Sequence, residues 1–266
     1  MEFEEAMDGK GQLVPFKDDF RIHGFDLYWD DVDPMELTFM FVNHQRSGNG
    51  ISIFKHKIGS NYIQHVKTVK SPLLYLPNDV VATSRTTFYA TNELKYARGI
   101  LRKFEVLLGM PWGHVVHYGY TGVFTKAYDG IAYANGIAKS PDGSIIYVAA
   151  SSEPSVNMFR PKSDGTLELI SKNVFRGFVP DNISVDGATG HVLVAASIRR
   201  LIPAKNLRKG FIEEGVLNHD GRLLPSTTVA VVQRRGNTKR ILLGSVMADH
   251  IAICNAGSRR TKASLV

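Results

Sequence analysis

The chain has 266 residues, 44% of them hydrophobic and 21% charged, an ordinary balance for one large globular domain or two small ones. No apolar run reaches the roughly 18 residues that a membrane-spanning helix needs, and the acidic start Met1–Gly11 does not read as a secretory signal, which leaves localisation open. The net charge of +7 would suit a nucleic-acid partner, but residues 1–40 are acidic, no nucleic-acid motif is present, and the positive excess falls late, in Arg234, Arg235, Lys239, Arg240, Arg259, Arg260 and Lys262, so the sequence predicts no nucleic-acid binding.

Taken in chain order, the apolar segments are short, rich in Val, Ile, Phe and Tyr, and bounded by Gly, Pro, Asn or Asp, which is the strand signature. His23-Gly24-Phe25-Asp26-Leu27 opens the series and is followed by strands over Leu37–Asn43 and Ile51–His56, with His44 ending the first. His65 lies in the next strand, Tyr62–Lys67. Asn78-Asp79-Val80-Val81-Ala82 repeats the polar start, and Thr87–Thr91 follows it. Gly99–Leu108 is the one helical pattern, with Ile100, Phe104, Leu107 and Leu108 on one face. Asn135-Gly136-Ile137-Ala138 is a third opener, after which Ser140-Pro141-Asp142-Gly143 forms a turn into Ile145–Ala149. Asp181-Asn182-Ile183-Ser184-Val185 leads through a second turn, Asp186–Gly190, to Val192–Ala196. Ser226-Thr227-Thr228-Val229-Ala230 and Ile241–Val246 complete the pattern, and Cys254, the single cysteine, sits in a last apolar strand and excludes an internal disulfide.

The openers stand at positions 23, 78, 135, 182 and 226, at intervals of 55, 57, 47 and 44 residues. A period near 40–50 residues with about four strands per repeat describes a β-propeller blade. The larger spacing is accounted for by an insertion around the helix. An open β-sandwich would also produce such a repeat, but polar residues at every opener suit innermost strands lining a central channel. The reading is therefore an all-β, six-bladed β-propeller with its first blade incomplete, a single domain over 1–266. Residues 1–19 match poorly, 97–120 form a helical insertion near the mouth of the site, and 256–266 form a basic disordered tail.

Equivalent positions of a propeller meet at its axis, so Asn78, Asn135, Asp181 and Asn182 would converge from more than 100 residues of sequence. Amide and carboxylate oxygens without cysteine or a close histidine pair suit a hard cation, calcium above all. A single such Asn would more simply cap a turn; four at one phase of a repeat point to a metal. His44 and His65, on adjacent strands, could form a hydrogen-bonded pair that deprotonates water.

With these segments in order, residues 20–255 resemble the serum paraoxonase/arylesterase family of six-bladed calcium hydrolases. The matching stretches include His23-Gly24-Phe25, Val42-Asn43-His44, His65–Val69, Asn78–Ala82, Phe88–Asn92, Leu108–Trp112, Ala134–Ile137 and Asp181–Asp186. The resemblance implies calcium-dependent hydrolysis of aryl esters and lactones, with two calcium ions, one catalytic and one structural. By motif, Asn78, Asn135, Asp181 and Asn182 would hold the catalytic ion and Asp79 the structural one. His44 would be the general base and His65 its relay. The 99–120 segment would lie against lipid surfaces, with Trp112, Val115, Val116 and Tyr118 as an apolar lip. The family's acidic Glu-Asp pair and the partner of Cys254 have no match here, and Ser197 stands where relatives often carry a histidine. The chain thus reads as starting part-way into a first blade, with calcium affinity lowered by the missing carboxylates. A decayed, calcium-supported propeller acting as a binding module is the alternative, and gluconolactonase-like or strictosidine-synthase-like propellers share the architecture.

Overall fold

The computed structural model describes residues 2–7, 13–15, 19–175, 177–198, 228–235, 238–245, 251–256 and 263–265. Apart from one helix, its regular structure is β throughout, as the period-2 patterning requires. Two compact units divide the chain. The first takes residues 1–134 with 162–167, and the second takes 135–161 with 168–266.

In the first unit, β3 (Ile22–Tyr28), β4 (Glu36–Gln45), β5 (Gly48–Lys57) and β6 (Tyr62–Val69) form an antiparallel meander. β1 (Glu2–Met7) adds in parallel to β6, and β2 (Leu13–Pro15) adds beyond it. The segment 1–19, poorly matched in sequence, therefore contributes two strands. A second sheet runs β10-β9-β8-β7, from β7 (Pro77–Ala82), β8 (Phe88–Asn92), β9 (Gly113–Tyr118) and β10 (Phe124–Ile131). Alternate residues of β4 and β5 (Met40, Val42, Ile51, Ile53) bury one face against Val80, Ala82, Phe88 and Ala90. The other face carries Phe41, Phe54 and Ile63, with Phe20 and Phe39 packed alongside. Each fully buried side chain of this size stabilises the unit by about 1.5–3 kcal/mol.

The helix α1 (Gly99–Leu108) falls where the periodicity places it, but the rest of the 97–120 insertion does not. Residues 113–118 are β9, between β8 and β10, and Val115, Val116 and Tyr118 are buried core rather than an apolar lip. The alternation of Gly113–Tyr118 in fact satisfies a two-sided, fully covered strand. Helix α1 ends at Gly109, whose left-handed φ of 61° lets Gly109 N and Met110 N close on Val106 O and Glu105 O. Its one buried side chain is Glu105, whose carboxylate accepts the amides of Lys95 and Tyr96. The apolar stripe faces outward instead. Ile100, Leu107 and Leu108 are 62%, 79% and 66% exposed.

In the second unit, β11 (Ala134–Lys139), β12 (Ile146–Ala150), β13 (Ser155–Pro161) and β14 (Leu167–Val174) form one sheet. β15 (Phe178–Val185) pairs with β16 (Val192–Ile198). β17 (Val229–Arg235), β18 (Thr238–Gly244), β19 (Ala252–Ala256) and β20 (Ala263–Leu265) form another four-stranded sheet. The tail expected to be disordered thus contributes β20, and the register sets Cys254 opposite Ile241 and Ala263. Ser226, Thr227 and Val246, like Arg259, Arg260 and Lys262 of the tail, lie outside the described residues.

Five sheets are present among the described residues, against the six blades expected. In each of them the polar opener (β3, β7, β11, β15 or β17) is an edge strand. Neighbouring openers touch within each unit. Ala82 N donates to Asp26 Oδ2, joining β7 to β3, and Asn182 N donates to Thr228 O, joining β15 to the start of β17.

Candidate functional site

The site residues share one backbone device. In β3, Ile22 faces Asn43 and Phe25 faces Phe41, so one extra residue is inserted at His23-Gly24. In β7, Pro77 faces Asn92 and Val80 faces Ala90, with the extra residue at Asn78-Asp79. In β15, Pro180 faces Ala196 and Ile183 faces Val194, with the extra residue at Asp181-Asn182. A bulge of this kind breaks the ladder locally and re-aims side chains. Three openers therefore turn their polar residues out of register at the same phase of the repeat.

The bulges are close-packed through glycine. Gly24 passes against Asn78 O and Asp79, and Gly136 passes against Asn182 and Asp181 O, in both cases nearer than any Cβ could stand. His23-Gly24 thus lies on Asn78-Asp79 in the first unit, and Asn135-Gly136 lies on Asp181-Asn182 in the second.

The hydrogen bonds of the three amides settle which end each presents. Asn78 Nδ2 donates to Glu93 Oε2 at 2.9 Å, and Asn182 Nδ2 donates to Thr228 O at 2.8 Å. Asn135 Nδ2 donates to Ser151 Oγ at 3.0 Å, while Ser151 Oγ in turn donates to Pro180 O at 2.7 Å and so must accept from Asn135. In each case the nitrogen is held by a fixed acceptor, and Oδ1 is the amide atom whose chemistry suits a cation. Asn78 is 4% and Asn135 8% exposed. Asp79, 7% exposed, accepts the Val80 amide on Oδ1. Glu93 also receives Arg102 of α1, at 3.0 Å, on its other oxygen. In each unit by itself, amide and carboxylate oxygens of this kind suit a hard divalent cation. No group of three or more His, Cys, Asp or Glu able to hold a metal occurs among the described residues.

The histidines are arranged differently from the sequence reading. His65 faces Phe54, which faces Phe39, five positions along β4 from His44 and two strands away. At about 3.3 Å per residue the offset along the strand is roughly 16 Å, too far for a hydrogen-bonded pair. His65 Nε2 instead bonds Thr68 Oγ1, which meets Ser52 Oγ, and Ser52 accepts from Asn43 Nδ2. The register thus corrects the expected His44–His65 hydrogen-bonded pair: the two rings are too far apart to form it. The ring beside His44 is His23, edge to face at 5.3 Å between centroids. Burial holds the His23 imidazole below its ordinary pKa; the His44 charge adds to this and Glu93 opposes it. His44 Nδ1 lies 3.0 Å from Asn49 Oδ1. His23, Glu93 and Asn49 were passed over in the sequence. His23 carried the one usable signal, a histidine at an opener phase where the next three repeats have Asn or Asp.

The Arylesterase family profile matches residues 10–202. The chain is 30% identical over 257 residues to serum paraoxonase/arylesterase 1 of Rattus norvegicus, covering 88% of this chain and 68% of that protein. It is 33% identical over 175 residues to serum paraoxonase/arylesterase 1 of Homo sapiens, covering 66% of this chain and 48% of that protein. The chain thus spans about half the length of that human protein. A solved structure assigned as a gluconolactonase superposes with a TM-score of 0.53 at 12% identity, covering 98% of this chain and 81% of the other. One assigned as a 6-phosphogluconolactonase, from Bacteroides uniformis, gives 0.51 at 11%, covering 96% and 74%. At such identities the likeness is one of fold.

Proposed function

Since the chain belongs to the paraoxonase/arylesterase family, we propose that it is a cation-dependent hydrolase of aryl esters and lactones built on a six-bladed propeller. The observation that carries this reading is the one-residue bulge repeated at His23-Gly24, Asn78-Asp79 and Asp181-Asn182. Asn78, Asn135, Asp181 and Asn182 would hold a catalytic calcium through their oxygens, and Asp79 a structural one. A bound calcium supplies polarisation of the scissile carbonyl and stabilisation of the oxyanion.

The protein's own residues handle the proton. Water adds to the carbonyl carbon and gives a proton to His44, the general base, whose ring stands edge to face with His23 beside the Asn78-Asp79 bulge. The carbon–oxygen bond to the leaving alcohol then breaks, and the departing alkoxide takes that proton from His44, which returns to its neutral form.

The exposed stripe of α1 supports a second role, reversible association with a lipid surface through Ile100, Leu107 and Leu108. Hydrolysis of phenyl acetate and of a γ- or δ-lactone, with and without chelator, tests the main reading. Turnover that disappears with chelator and in His44→Gln supports it. Turnover indifferent to both sinks it, and no turnover at all leaves the alternative, a calcium-supported binding module.

A further inference from the structure

Asn49 sits opposite His44, one pair in from the Gln45–Gly48 pair that closes the β4–β5 turn, where Gly48 has a φ of 116°. Its two amide atoms have separate partners. Nδ2 donates to Tyr75 O at 2.8 Å, and Oδ1 lies 3.0 Å from His44 Nδ1. A backbone carbonyl can only accept, so the nitrogen end is fixed toward Tyr75 and the oxygen end toward the imidazole. An amide oxygen also only accepts, so His44 Nδ1 must carry the hydrogen. In the neutral ring this leaves the lone pair on Nε2.

The second bond is needed. Asn49 borders an open groove of about 470 Å3 with Ser47, Lys70 and Tyr75, where water can reach the amide. Held by the imidazole alone, it could turn to present either end. The carbonyl of Tyr75 removes that freedom. The His44 backbone is fixed as well, its amide donating to Arg21 O at 2.9 Å.

We propose that Asn49 is a positioning residue that locks His44 as the Nδ1–H tautomer, so that Nε2 is the nitrogen that accepts the proton of the attacking water. The tautomer lock stands on the hydrogen bonds alone; its catalytic meaning rests on the hydrolase reading above.

The test is long-range nitrogen–proton NMR on the full chain with ring-labelled histidine, above the ordinary imidazole titration range. His44→Gln identifies the signal. The wild type should show His44 protonated on Nδ1. Asn49→Ala should lose that preference, whereas Asn49→Asp, which keeps an acceptor oxygen, should retain it. In ester turnover, Asn49→Ala should lower kcat about tenfold or more with KM little changed, and Asn49→Asp should recover part of the loss. A wild-type His44 protonated on Nε2, or a tautomer unmoved by Asn49→Ala, overturns the proposal. A tautomer that moves as described in a protein without esterase or lactonase turnover upholds the lock and removes the hydrolase reading.

Discussion

Substituting Gly24 by Ala probes the packing on which the site depends. An ideal Cβ at position 24 would stand 2.3 Å from Asp79 Oδ1, 2.6 Å from Asn78 O and 2.7 Å from Asp79 Cα. Two of those three atoms belong to backbone, so no side-chain rotation relieves the overlap, and the β3 and β7 bulges must move apart. Overpacking of this kind costs about 1–3 kcal/mol. Alanine gains about 0.4–1 kcal/mol by restricting the unfolded chain, which leaves a net loss of up to roughly 2.5 kcal/mol, centred a little above ~1 kcal/mol. Gly136→Ala meets Asn182 Cα at 2.5 Å and Asp181 O at 2.7 Å and should behave alike. Gly187, with nothing within 4 Å and no positive φ, is the matched control, and its alanine variant should be neutral or slightly stabilised. Urea unfolding midpoints at constant slope measure all three. If Gly24→Ala and Gly136→Ala unfold together with Gly187→Ala, the close contact of successive openers is wrong, and with it the juxtaposition of His23 with Asn78-Asp79.

Replacing Leu107 and Leu108 by Glu should weaken binding to phosphatidylcholine vesicles by tenfold or more, with the unfolding midpoint unchanged because both side chains are exposed; equal vesicle binding would dismiss the surface role. Burial holds the His114 pKa below its ordinary value, against the opposing hydrogen bond to Leu73 O, so the unfolded chain takes up a proton first and stability should fall as pH drops below about 6.5. A pH series of unfolding midpoints should show that slope, reduced in His114→Gln. The Asp30 carboxyl, held down to about 2 chiefly by its bond from Arg85, contributes stability present above the ordinary carboxylate range and lost as pH falls from about 4 toward 2. Arg85→Gln should flatten that acid limb.

The repeat was legible because strand period and turn residues are local properties. The five openers are the edge strands of five sheets, and Gly99–Leu108 is the helix. Periodicity revealed the apolar face of α1 but not its direction, since the burial of Glu105 against the amides of Lys95 and Tyr96 is a tertiary fact. It also ran the insertion on into β9, whose alternation is buried on both sides. The amide ligand candidates were visible as a phase of the repeat. The histidine pairing was not. A single extra residue at His23-Gly24 shifts the β3 register and brings His23 to His44, and no count of spacings reveals where an insertion of one residue falls. His65 looked like a partner because adjacent strands were assumed to be in step, whereas the register separates the two residues by five positions.

The account turns on whether the bulged amides and carboxylates bind one kind of ion together. Calorimetric titration of calcium into the chelator-treated full chain is the most direct measurement. Binding that is weakened in Asn78→Ala, in Asn135→Ala and in Asn182→Ala alike is the expected result. Absence of binding, or binding that none of the three substitutions alters, would contradict it.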